Sequence, residues 1–300
     1  MPFRTLTQRG VHALAASGRY RAVLAGTTGR LALPAAWRGA RRAGVPFILW
    51  TALWAHPRTP AHLPGAALLR AIYRDADAVV TYGPHVSDFV RARGASRVLE
   101  APQAVDADFW EAPADPLRAA PFTVTFVGRA AGAKGLGVLE EAWRQSGLTG
   151  PEAALVLVGV EPGETRLGAG GAVTAVGAQP PEKVRNFLAG SDVLVVPSVR
   201  TRRFREPWGL VVNEAMHRSC AVIASDEVGA AAGGLVVNDQ TGLVVRAGEA
   251  SALAGALRRL HDDSALRARL ARSGHEAVGA YTFDAWAEGM ARALGAPEVR

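Results

Sequence analysis

A single cysteine, Cys220, stands in this chain of 300 residues. One thiol excludes a disulfide framework and a cysteine-based metal cluster. Cys220 directly follows an apolar, helix-like run and reads as a small buried packer rather than a nucleophile. No apolar run is long enough to span a bilayer and no secretory signal is recognised, so a cytoplasmic location is the expectation. Lysine is almost missing: Lys134 and Lys183 are two of 34 cationic side chains, the other 32 being arginine. With so much Ala and Gly, that imbalance reads as coding bias, and much of the net charge of +7 is bland. A basic surface could attract nucleic acid or anionic lipid. No RNP, zinc-finger or helix-turn-helix pattern is present, so nucleic acid is not an expected partner. Hydrophobic residues make up 49% and charged residues 20%, a globular balance in a length that suits one large or two ordinary domains.

What is present centres on residues 193–229, VLVVPSVRTRRFREPWGLVVNEAMHRSCAVIASDEVG. An apolar β-rich run ends at Pro197-Ser198, a basic loop follows, an amphipathic run covers 210–218, and a second apolar run covers 221–224. Strand, loop, helix and strand make the βαβ unit of a parallel sheet. Ligands of open α/β sheets sit beyond the carboxyl ends of the strands, where this loop lies. Glu206 and Glu214 bracket the helix start with seven residues between them. The amides of Gly209, Leu210 and Val211 would face whatever lies in front, a seat for an anion.

Along the rest of the chain, strands are expected at 20–25, 45–51, 78–82 and 96–100, and helices at 5–17, 31–43, 66–73 and 86–92, with a Pro-rich loop at 57–64. Residues 111–121 are rich in Pro and Ala without periodicity and read as a linker. Beyond it come strands at 122–127, 153–158 and 173–176, helices at 136–144 and 182–188, a Gly-rich loop at 161–171 and a hairpin-like segment at 238–245. Helices at 250–260, 264–273 and 284–294 close the chain. The alternation argues an α/β class with parallel sheets. Gly132, Gly135 and Gly137 do not have the spacing of a dinucleotide fingerprint. The Asp-x-Asp pairs Asp75/Asp77 and Asp106/Asp108 sit in the wrong context for metal binding, and no metal is expected.

EPWGLVVNEAM after a strand ending in Pro-Ser resembles the Glu-x7-Glu signature of the family 4 retaining glycosyltransferases of the GT-B fold. Val127-Gly128-Arg129 with Lys134-Gly135 is similar to that family's phosphate clamp. RRAGVPFIL, YRDADAVVTYGPHVSDFV and APQAVDADFW resemble the second half of its acceptor domain, with Gln103 and Ala104 as departures. The resemblance implies two Rossmann-like domains, the N-terminal one incomplete. The implied layout is an acceptor-side part over 1–112, a linker over 113–121, a donor domain over 122–281 and a helix over 282–300 crossing back to the first part. It implies Glu206, Arg129 and Lys134 as catalytic residues, with Glu206 on the transferred sugar and the two cations on the leaving phosphate. Gly128, Gly209, Leu210, Val211 and Glu214 would hold the donor, and the base would rest near Gly177 and Val184. His56 and His85 are acceptor-side candidates, with a surface loop and a helix-start position as the bland alternatives.

No cofactor is implied. The substrate would be a UDP- or GDP-sugar, and the acceptor a hydroxyl of a glycan, a lipid-linked molecule or a small molecule. Peripheral contact with the inner face of a membrane fits such an acceptor. The first half of the family's acceptor domain has no counterpart, which would leave the strand of Ile48 or Val23 as an open apolar edge. A truncated product, a partner chain or a swapped homodimer would follow. The rival reading is a non-catalytic nucleotide-sugar-binding subunit that needs a partner for the acceptor half.

Overall fold

The computed structural model describes residues 8–27, 31–56, 63–167 and 172–295. At 5–7, 28–29, 57–62, 168–171 and 296–300 the expectations fall outside the described residues. In chain order the elements are α1 (Val11–Ala15), β1 (Val23–Gly26), α2 (Ala32–Ala43), β2 (Phe47–Thr51), α3 (Leu63–Asp75), β3 (Ala78–Thr81), α4 (Pro84–Arg91), β4 (Val98–Glu100), α5 (Ala107–Glu111), β5 (Phe122–Val127), α6 (Leu136–Ser146), β6 (Ala153–Val158), β7 (Val173–Gly177), α7 (Pro181–Ala189), β8 (Val193–Val196), α8 (Val211–His217), β9 (Ala221–Ser225), α9 (Gly229–Ala232), β10 (Leu243–Val245), α10 (Ala250–Asp262), α11 (Ser264–Val278) and α12 (Phe283–Ala293).

The chain divides into two units, 1–102 with 284–300, and 103–283. In the first, β1 to β4 form a parallel sheet in sequential order. Of the two strands expected at the edge, the outermost is that of Val23; Ile48 lies in β2, flanked by β1 and β3. Phe47, Leu49, Ile72, Tyr73 and Val79 pack one face of this sheet. The other face takes α12: Met290 and Ala293 bury against Ile48, Ala78, Val80 and Ala101. Gly289 permits this approach, since a Cβ there would lie 2.3 Å from the Glu100 carbonyl oxygen. Arg97 ties the helix end by donating to the carbonyls of Arg292 and Ala293.

The second unit carries a six-stranded parallel sheet in the order β10-β9-β8-β5-β6-β7. Read from β7, this is the doubly wound order of a Rossmann sheet, with its switch point between β5 and β8. Every residue of β6, β8 and β9 is buried, which is why these strands read as unbroken apolar runs rather than alternating ones.

Two expectations are corrected. Residues 238–245 are not a hairpin: β10 is one strand parallel to β9. Thr241 Oγ1 accepts from Val237 N and donates to Leu235 O, so the preceding loop closes on itself and feeds the chain onto the sheet edge. Residues 111–121 are no free linker. The division falls between Pro102 and Gln103, because the following residues are tied into the second unit. Arg185 donates to Phe109 O, Arg218 to Trp110 O and Ala112 O, and Leu117 N to Asn186 O. The Asp-x-Asp residues have structural partners: Asp77 accepts from Phe47 N, and Asp106 caps α5 through Phe109 N.

Candidate functional site

The site lies at the carboxyl ends of β5 and β8, neighbours at the switch point of the second sheet. The loop after β5 makes one 3-10 turn, Gly132–Lys134, and then meets Gly135, whose φ of 73° is left-handed. A Cβ on Gly135 would lie 1.9 Å from Pro197 O, so only glycine lets this loop press against the end of β8. Val199 N donates to Ala133 O at 2.9 Å and fastens the two loops together.

That contact delivers Lys134 to Glu206. The ammonium nitrogen stands 2.6 Å from Glu206 Oε2, on a carboxylate only 7% exposed. Ser198, fully buried, donates from Oγ to the same oxygen at 3.1 Å, and its own carbonyl accepts from Ser225 Oγ at 2.5 Å. A buried carboxylate would be costly alone; a cation and a hydroxyl on one oxygen offset that cost and fix its plane. Phe204, part exposed, lies with its ring 6.0 Å from the ammonium. Arg205 pairs with Glu227 and closes the base of the basic loop.

The chain then turns through Pro207-Trp208-Gly209 into α8. Trp208 is buried; its indole N–H donates to Asn213 Oδ1 at 2.7 Å, and Asn213 donates onward to Gln103 O at 2.9 Å. The amides of Gly209, Leu210 and Val211 donate to no backbone carbonyl among the described residues. Glu214 sits in the first turn of α8 with no ion pair among the described residues. Burial pushes its carboxyl up to about 7 from the ordinary 4.5.

Arg129 is exposed at the end of β5 and forms no ion pair among the described residues. Gly128 N donates to Val158 O, and Gly159 N to Gly177 O, so the ends of β5, β6 and β7 are stitched together and Gly177 lies along the same sheet rim. Val184 is half-buried on α7. His56 and His85 lie in the other unit. His56 packs against Phe89, with burial and Arg93 holding its imidazole below the usual range; His85 lies edge-on to Trp54. Cys220 is buried, which raises its thiol.

Sequence reasoning left Ser198 and Asn213 without a role. Their signals were present: a serine where an apolar strand stops, and an asparagine inside an otherwise apolar helix stretch. The partners that give them meaning lie on other elements.

The model of the family described as Glycosyl transferases group 1 matches residues 108–277, more than half of the chain. The chain belongs to this family. Among curated relatives, D-inositol 3-phosphate glycosyltransferase of Nocardia farcinica is 34% identical over 142 residues, 47% of this chain and 28% of that protein. Lipopolysaccharide core biosynthesis glycosyltransferase LpsE of Rhizobium meliloti is 34% identical over 122 residues, 40% of this chain and 33% of its own. The chain thus spans about a third or less of the length of the curated relatives it matches. Among solved structures, sucrose-phosphate synthase from Thermosynechococcus elongatus superposes with a TM-score of 0.74 at 25% identity, covering 94% of this chain and 75% of that one. Anabaena HepE in complex with UDP gives 0.77 at 21% identity, covering 95% and 81%. The fold is the α/β fold with parallel sheets of GT-B glycosyltransferases.

Proposed function

We propose that this chain transfers a sugar from a nucleoside-diphosphate sugar to an acceptor hydroxyl with retention and without a metal. The carrying observation is the 2.6 Å contact between Lys134 and Glu206 at the sheet switch point, ahead of three amides that donate to no backbone carbonyl among the described residues. As the glycosidic bond breaks, negative charge grows on the leaving diphosphate. A cation already held in place stabilises that charge without reorganising. Lys134 supplies it, Arg129 adds a second cation from the sheet rim, and the amides of Gly209, Leu210 and Val211 take the remaining phosphate oxygens. Glu206, fixed by Ser198 and Lys134, orients the hydroxyls of the sugar. Glu214 accepts from the ribose hydroxyls, and the base rests towards Gly177 and Val184. The leaving phosphate assists deprotonation of the acceptor hydroxyl as it attacks from the same face. HepE, whose structure holds UDP, supports a uridine nucleotide as the first donor to try. His56 and His85 are kept as acceptor-side candidates.

Calorimetry with UDP and GDP, followed by donor hydrolysis and transfer assays, tests this reading. Nucleotide binding with turnover that Lys134→Ala cuts by about two to three orders of magnitude supports it. Binding with no hydrolysis or transfer favours the second reading, a nucleotide-sugar-binding subunit served by another chain. The outermost position of β1, with one strand neighbour among the described residues, favours that second reading.

A further inference from the structure

The charge of this protein is segregated. The unit of 1–102 and 284–300 has 16 arginines against 7 carboxylates, a net +9; the unit of 103–283 has 18 cations against 20 carboxylates, a net −2. The excess concentrates at the start. The first acidic residue of the chain is Asp75, and 11 arginines precede it. Coding bias explains arginine in place of lysine; it does not explain 74 residues without one carboxylate.

The described arginines of this stretch lie on the outside of their unit. Arg9, Arg19, Arg21, Arg38 and Arg42 are exposed and form no ion pair among the described residues; Arg41 alone of this group is tied, to Asp75 and Asp77. Arg38 and Arg42, four residues apart, share one outer face of α2. Large apolar side chains are exposed on the same elements or beside them: Leu14 is 50% exposed, Tyr20 46%, Leu24 44% and Leu31 57%. Arg19 lies over the Tyr20 ring at 5.8 Å.

We infer that α1, β1 and α2 form a docking surface for an anionic phospholipid bilayer. Guanidinium groups not committed to a carboxylate pair with lipid phosphates, and the field of an anionic leaflet draws in clustered basic residues. Protruding leucines and a tyrosine enter the headgroup boundary, where an apolar body with a polar tip is at home. Aliphatic side chains of this kind give a nucleic-acid backbone nothing to bind, so charge and apolarity together favour lipid. The surface needs no assumption about the sugar or the donor.

Flotation of the full chain with phosphatidylcholine vesicles, with and without roughly 30% phosphatidylglycerol, reads the inference directly. Partition is expected on the anionic vesicles, to fall steeply with salt, and to drop about 100-fold in the combined variant Arg19→Gln, Arg21→Gln, Arg38→Gln, Arg42→Gln. The combined variant Arg200→Gln, Arg202→Gln, Arg203→Gln removes comparable charge from the second unit and is expected to float like the parent. Unchanged thermal melting of both variants keeps the comparison clean. Three results overturn the inference: equal partition on neutral and anionic vesicles, or on neither; equal loss in both variants; and retention by duplex DNA or RNA with no flotation. A soluble dimer that buries Leu14 and Leu24 and ignores vesicles also overturns it.

Discussion

In the unit of 103–283, four cations are fixed on carboxylates: Lys134 on Glu206, Arg205 on Glu227, Arg118 and Arg267 on Asp192. In the unit of 1–102 and 284–300, Arg9, Arg19, Arg21, Arg38 and Arg42 are exposed and pair with no carboxylate among the described residues. Both units are parallel α/β layers built from the same kinds of residue. A paired, part-buried cation is a positioned point, useful where charge appears at one atom. A row of unpaired surface cations is a field, useful against an extended anionic surface and weakened by salt.

The sharpest way to break that contrast is Lys134→Ala. Turnover should fall by about 100- to 1,000-fold, the cost of losing an electrostatic contact made in the transition state, while vesicle flotation stays unchanged. Turnover near that of the parent would remove Lys134 from the chemistry. The reciprocal test uses the four-arginine variant of the first unit: flotation should drop about 100-fold, with turnover on a water-soluble acceptor preserved. Loss of both properties together would show that the two units do not divide the work.

Glu214 gives a pH-dependent test. Its carboxyl is pushed up to about 7 in the folded chain from 4.5. Between those values the folded chain binds the extra proton, so stability is lost as pH rises through that window, and the ionised carboxylate is a burden above it. Glu214→Gln should therefore raise stability by about 1–3 kcal/mol at pH 8. The gain should shrink as pH falls towards 4.5, as read by thermal denaturation, and nucleotide affinity should drop. A gain independent of pH would mean that burial of charge is not its source.

Smaller still is Ser198→Ala, which removes one of two donors on Glu206 Oε2. A loss of about 1–2 kcal/mol in kcat/KM is expected, carried by kcat because the donor phosphates are held elsewhere. Ser198→Thr should restore part of it. A loss confined to melting temperature would make Ser198 a packing residue only.

The fold was legible to the extent that it is periodic. Strands at 122–127 and 153–158 coincide with β5 and β6 as found, because β5 is β-branched and aromatic throughout and β6, buried along its whole length, is written as a continuous apolar run. The 238–245 segment misled because a Thr-Gly turn between short apolar stretches looks alike whether the next strand pairs with its predecessor or with β9. The boundary at 102–103 was illegible because Pro and Ala say nothing about which carbonyls Arg185 and Arg218 will reach.

By itself, then, the sequence determined the α/β alternation, the strand–loop–helix unit with Glu206 and Glu214, and Lys134, one of two lysines, behind a Gly-Arg turn. Only the tertiary structure decided that Lys134 and Glu206, 72 residues apart, would share one oxygen with Ser198. It also decided which arginines of the acid-free start would face outward. Local periodicity records which residues face a core, but which loops meet depends on strand order. Strand order is settled by how the whole sheet packs, and no window of the sequence contains it.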